Sequence, residues 1–169
     1  WDSTALKITQ TITLPASTPL LSARDGYSGG VVVPTRGGTM YFANITTGAV
    51  SVRGVVSGGN VADVAVSNRS GHTFAVDNNT KSIIEFSVAG AQLKTATFAT
   101  LLAKLAIDRT TARIIALSPG GPSTPATVLV LNEATLATVA TFPLVSGSVS
   151  SVCTVNGTAY IATNAGGAG

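Results

Sequence analysis

Short apolar runs alternate with polar, glycine-bearing turns along the chain, the pattern of strands joined in hairpins. Two stretches superpose without gaps at an offset of 41 residues. One runs Ala62-Asp63-Val64-Ala65-Val66, a polar turn, then Thr73-Phe74-Ala75-Val76. The other runs Ala103-Lys104-Leu105-Ala106-Ile107, a polar turn, then Ile114-Ile115-Ala116-Leu117. Each reads as two largely buried strands. The same hairpin is predicted twice more, as Val31-Val32-Val33 with Met40-Tyr41-Phe42-Ala43-Asn44 and as Val152-Cys153-Thr154 with Ala159-Tyr160-Ile161-Ala162-Thr163. In all four an alanine follows a large apolar residue (Ala43, Ala75, Ala116, Ala162), a small side chain where neighbouring sheets would crowd together.

Two of these hairpins lead into two further strands, Ile83–Val88 with Leu93–Phe98 and Thr127–Leu131 with Ala137–Phe142. The outer members alternate apolar residues with Thr or Lys, as half-exposed edge strands do. Four antiparallel strands in about forty residues is the period of a β-propeller blade. The predicted fold class is all-β, a β-propeller of four-stranded antiparallel blades, with about four blades' worth of sequence in one domain over residues 1–169. The blades fall at 28–57, 61–98, 103–143, and 149–164 together with 1–15, with residues 46–57 reading one strand short.

Tyr41-Phe42-Ala43-Asn44 and Tyr160-Ile161-Ala162-Thr163-Asn164 resemble the signature of the YVTN and NHL-like β-propeller repeat proteins. Leu105-Ala106-Ile107-Asp108, Thr127–Asn132 and Ala137–Pro143 resemble the rest of that repeat, and the similarity covers most of residues 28–164. The copy at 72–77 departs from it, lacking the Tyr and the Asn. The resemblance implies seven-bladed propellers, among them lactonases and quinone-binding proteins, whose sites lie at the central axis and draw on several blades.

The first fifteen residues resemble Leu131–Pro143, so the chain is expected to open inside a blade and to stop after a second strand. Three arrangements fit, in this order: part of a larger propeller, a small four-bladed ring whose split terminal blade is completed by both ends, or an assembly paired through open edge strands.

Composition narrows the function classes. Hydrophobic residues make up 45% and charged ones 10%, well under the usual quarter. That suits stacked sheets with neutral, hydroxyl-rich outer faces, as in extracellular or cell-surface β proteins, and is too apolar for disorder. The ten Lys and Arg residues, set against seven Asp and Glu for a net charge of +3, are scattered, and aromatics are few, so nucleic acid is not an expected partner. No apolar run reaches the roughly eighteen residues of a membrane span.

The single Cys153 sits in a strand and reads as a small buried hydrophobe. The single His72 reads as a solvent-facing residue at a hairpin start, and alone it completes neither a zinc site nor a hydrolase triad. Asp77 and Asp108 end strands and are predicted to cap turns. Asp77-Asn78-Asn79-Thr80 offers oxygens but lacks the glycine and distal glutamate of a calcium loop. Four sequons begin at Asn44, Asn68, Asn78 and Asn156. Asn44 reads as a signature residue, the other three as turn sites accessible to a glycan. No catalytic, cofactor-binding or metal residue is predicted. The expected function is a non-enzymatic extracellular binding or structural module, with a protein or carbohydrate partner or self-association through edge strands. The alternative is part of a lactonase-type or quinoprotein-like propeller enzyme.

Overall fold

A computed structural model describes residues 11–15, 18–120, 124–144 and 148–164, and these form strands and turns without a helix. The first sheet holds β1 (Ala23–Asp25), β2 (Gly30–Pro34), β3 (Thr39–Asn44) and β4 (Val50–Val55), antiparallel and in chain order. The second repeats this with β5 (Val61–Val66), β6 (Thr73–Asp77), β7 (Ser82–Phe86) and β8 (Gln92–Thr97). The third has β9 (Lys104–Asp108), β10 (Arg113–Ser118), β11 (Thr127–Asn132) and β12 (Thr138–Pro143). Last comes a pair, β13 (Ser148–Val155) with β14 (Thr158–Asn164). The inner strands β1, β5, β9 and β13 pack in succession, so the sheets stand as blades face to face. The all-β, four-stranded architecture matches the period of the sequence.

The continuous apolar runs of β6 and β7 follow from this stacking. Successive side chains of a strand point to opposite faces. Ala75, Ile84 and Phe86 therefore pack toward the first sheet with Val32, Met40 and Val56. Phe74, Val76 and Ile83 pack toward the third with Leu105, Ile114 and Leu131. Both faces are covered, and every residue of β6 and β7 is buried. At the far edge of their sheets β8 and β12 are largely exposed.

One turn design closes most hairpins. A capping side chain accepts hydrogen bonds from groups two and three residues on, and the fourth residue takes a left-handed conformation. Asp25 accepts from the amides of Tyr27 and Ser28, Asn44 from Thr46 and Thr47, Asn132 from Ala134 and Thr135. Ser67 does the same for Arg69 and Ser70. The predicted caps Asp77 and Asp108 accept from the amides of Asn79 and Thr110 and from the hydroxyls of Thr80 and Thr111. Glycine serves the left-handed position at Gly29, Gly48 and Gly71, but Lys81, Ala112 and Leu136 occupy it elsewhere. Leu136 is 2% exposed in the core between the second and third sheets, and that burial offsets the cost of about 1–2 kcal/mol for its backbone.

Three expectations change. The hairpin of Val31–Val33 with Met40–Asn44 is the middle pair of its sheet, because β1 supplies the inner strand; the first blade begins at Ala23 rather than residue 28 and is not one strand short. A strand of three residues, Ala-Arg-Asp in composition, leaves no apolar run to read. Second, the shared alanine position holds for Ala75 opposite Val64 and Ala116 opposite Leu105, whereas Ala43 lies on a third strand. Third, residues 11–15 add no strand to the last sheet. Thr13, Leu14 and Pro15 line a groove with Tyr41, Val50, Ser51 and Val52 of the first sheet. Residues 18–20 run along the end of β2, Leu20 donating to the Pro34 carbonyl and Arg36 to that of Thr18. The expected strand over residues 1–10 lies outside the described residues.

A buried ion pair ties the first two sheets. Arg53 on β4 and Asp25 are bonded, with side chains 2% and 0% exposed. The guanidinium also donates to the Val88 carbonyl of the second sheet at 2.6 Å and to the Ser28 hydroxyl at 3.3 Å. Removing one partner of such a pair leaves an uncompensated charge, whereas removing both does not. Arg53→Met is expected to destabilise the chain by about 3 kcal/mol, and Asp25→Asn in the same background to recover most of it, measured by urea unfolding. Additive losses from the two substitutions would contradict this.

Candidate functional site

The inner strands line a groove of about 480 Å³ whose walls include Arg24, Asp63, Lys104, Ser151 and Cys153. It lies where the blades converge. Arg24 and Cys153 are exposed and Asp63 and Lys104 half-buried. The expectation that Cys153 is buried is overturned, because only one face of β13 is packed: Val149 and Val152 contact the third sheet and Cys153 faces the groove. Asp63 Oδ2 accepts the Leu105 amide of the next sheet at 2.8 Å. Burial pushes its carboxyl above the usual range, against the opposing pull of the Leu105 amide, the Lys104 charge and the Val64 amide.

A second concavity, about 380 Å³, opens between the second and third sheets at the edge bearing the β5–β6 and β11–β12 turns. His72 is at its wall and is not the solvent-facing turn residue expected; its side chain is 31% exposed and Nδ1 lies 2.7 Å from Oε1 of the buried Glu85. Lys94 stands 3.6 Å from Glu85 Oε2 and donates to the Ala134 carbonyl. Ser67 donates its hydroxyl to Glu133 Oε1 across the two sheets. Sequence reasoning missed Glu133, Glu85 and Arg53 as junction residues. Each is a lone charge in an otherwise apolar or polar run, and spacing holds no sign of a partner tens of residues away.

Of the sequons, Asn68 and Asn156 are brought together on one cleft of about 260 Å³ with Asp108 and Arg109. Both are exposed, Asn156 in the two-residue Asn156-Gly157 turn where both residues have positive φ. Asn44 Oδ1 is engaged as a turn cap. Asn78 is half-buried at the opposite edge, its Oδ1 buried without a hydrogen-bond partner. Asp108 braces the last hairpin. The Thr111 hydroxyl first, then the amides of Thr110, Gly157 and Thr111, hold its carboxyl below the usual range against burial. Among the described residues no three His, Cys, Asp or Glu side chains group as metal ligands.

No family model matches the sequence, and no curated protein matches it. Solved structures do. The structure of U3-55K superposes with a TM-score of 0.69 at 16% identity, over 85% of this chain and 45% of that one. The crystal structure of the RRP9 WD40 repeats superposes with a TM-score of 0.69 at 16% identity, over 85% of this chain and 44% of the other. The fold is a β-propeller. The chain spans under half the length of either of these two structures, and the second is described as WD40 repeats, whereas the sequence motifs resemble the YVTN and NHL type.

Asp63 yields a prediction of definite sign. With its folded pKa raised, the carboxyl contributes favourably below its unfolded pKa, and that contribution is lost as pH rises through the folded value. Asp63→Asn keeps an acceptor for the Leu105 amide and removes the buried charge. The variant should melt at higher temperature than the parent at neutral pH, with the gain shrinking as the pH approaches the carboxylate range. A lower melting point at neutral pH would show that the ionised carboxylate stabilises the β5–β9 junction.

Proposed function

We propose that the chain is a protein-binding propeller segment whose last sheet accepts a strand from another polypeptide. One observation carries this reading. The first three sheets continue from their second strand to a third and fourth, but among the described residues the last sheet stops at β14. An unpaired strand edge is a ready template for strand addition. Large apolar side chains stand on that hairpin in solvent, Tyr160 58% and Val155 55% exposed. A second copy of the chain could supply the strand, giving the self-associating structural module that the sequence suggests. An extracellular or cell-surface setting, with glycans at Asn68 and Asn156 on their shared cleft, is part of the proposal and is supported by low charge and exposed sequons. The alternative, a share of an axial enzyme site, is favoured by the groove holding Asp63, Lys104 and Cys153.

In a two-residue hairpin the flanking pair, Val155 and Thr158, exchanges the hydrogen bonds, so the next amide, Ala159, faces away from β13. Ala159→Pro therefore removes an outward donor while sparing the hairpin's own bonds. Sedimentation is expected to show concentration-dependent association of the parent chain and a monomer for Ala159→Pro. Parent and variant sedimenting alike as monomers would reject self-association through β14, and robust lactone hydrolysis would favour the enzyme.

A further inference from the structure

At the junction of the first and second sheets a corner is filled by the chain's own arginine. The Arg53 guanidinium lies between the Asp25 carboxylate, the Ser28 hydroxyl and the Val88 carbonyl, 4.6 Å above the Phe42 ring. The next junction is built from the corresponding turns. Ser67 takes the capping place of Asp25. Glu133, after Asn132 at the start of the β11–β12 turn, takes the place of Val88, after Ser87 at the start of the β7–β8 turn, which is one residue shorter. Here, among the described residues, no guanidinium is bonded to Glu133, and a 380 Å³ cleft with Arg69 among its lining residues lies there instead.

Glu133 in that cleft is 8% exposed. Its Oε1 accepts the Ser67 hydroxyl, but its Oε2 is buried with no hydrogen-bond partner. The nearby carboxylate, Glu85, already faces His72 and Lys94, and the Lys94 ammonium is held by the Ala134 carbonyl. A buried carboxylate with one neutral donor lacks the compensation such groups require. A planar guanidinium holds a carboxylate oxygen while its remaining donors reach neighbouring acceptors, as Arg53 does with Asp25, Ser28 and Val88, an arrangement a compact lysine ammonium does not match.

We propose that this cleft receives an arginine side chain of a protein partner, whose guanidinium pairs with Glu133 as that of Arg53 pairs with Asp25. The inference rests on the protein-binding reading but not on strand addition at β14, which is a different surface. Arg69, exposed at the rim, is a like charge that any entering guanidinium passes.

The test uses a small probe, N-acetyl-L-argininamide, followed by amide chemical shifts of the chain, with the uncharged isostere N-acetyl-L-citrullinamide as control. The expected result is saturable binding of the arginine probe with shifts at Glu133 and Ala134, and about tenfold weaker binding of the citrulline probe. Glu133→Gln keeps an acceptor for Ser67 and should weaken the arginine probe about tenfold as well. Arg69→Ser, a rim substitution, should bind at least as tightly as the parent. Equal affinity for both probes, unchanged affinity in Glu133→Gln, weaker binding in Arg69→Ser, or no binding to the parent would each overturn the proposal. None of these bears on sedimentation through β14, so failure here and failure of the strand-addition reading are distinguishable.

Discussion

A sheet with apolar side chains on both faces cannot stand alone in water, and in the second sheet each such face is covered by the sheet beside it. The rest of the structure depends on that stacking. It makes β6 and β7 buried from end to end, with Phe74 and Val76 serving one neighbour and Ala75 and Ile84 the other. It also explains the polar residues inside. Arg53, Asp63, Ser67 and Thr154 bond across junctions, to Val88, Leu105, Glu133 and Ile107 respectively, groups that would face water if the sheets parted.

The same constraint explains why the last hairpin differs. Among the described residues β13 and β14 pack on the third sheet alone, through Val149, Val152 and Ile161. Their other face has no described sheet against it, so Cys153, Ala162 and Tyr160 are exposed although their sequence reads like the buried hairpins before it. Burial here is a property of position in the stack, which local composition does not encode.

Legibility followed the range of the interaction. The strands of the second and third sheets were readable because their apolar runs recur at a fixed offset, and the turn caps Asp77 and Asp108 because a cap and its partners lie within three residues. β1 was not readable, since Ala23–Asp25 owes its strand conformation to pairing with Gly30–Val32. The junction chemistry was hidden for the same reason. Ser67 and Glu133 are 66 residues apart, Arg53 and Asp25 28, and nothing local marks either pair. His72 resembled a turn residue because Glu85, which turns it inward, belongs to another strand. The family signature pointed to the propeller fold, and that fold is what the superposition on the two solved structures shows.

Amide hydrogen exchange, resolved strand by strand in dilute solution, tests the stacking account most directly. It predicts the slowest exchange in β6 and β7, which are covered on both faces, and little protection for the outward amides of β14, starting at Ala159. Protection of β14 equal to that of β6, or exchange of β6 as fast as that of β14, would contradict it.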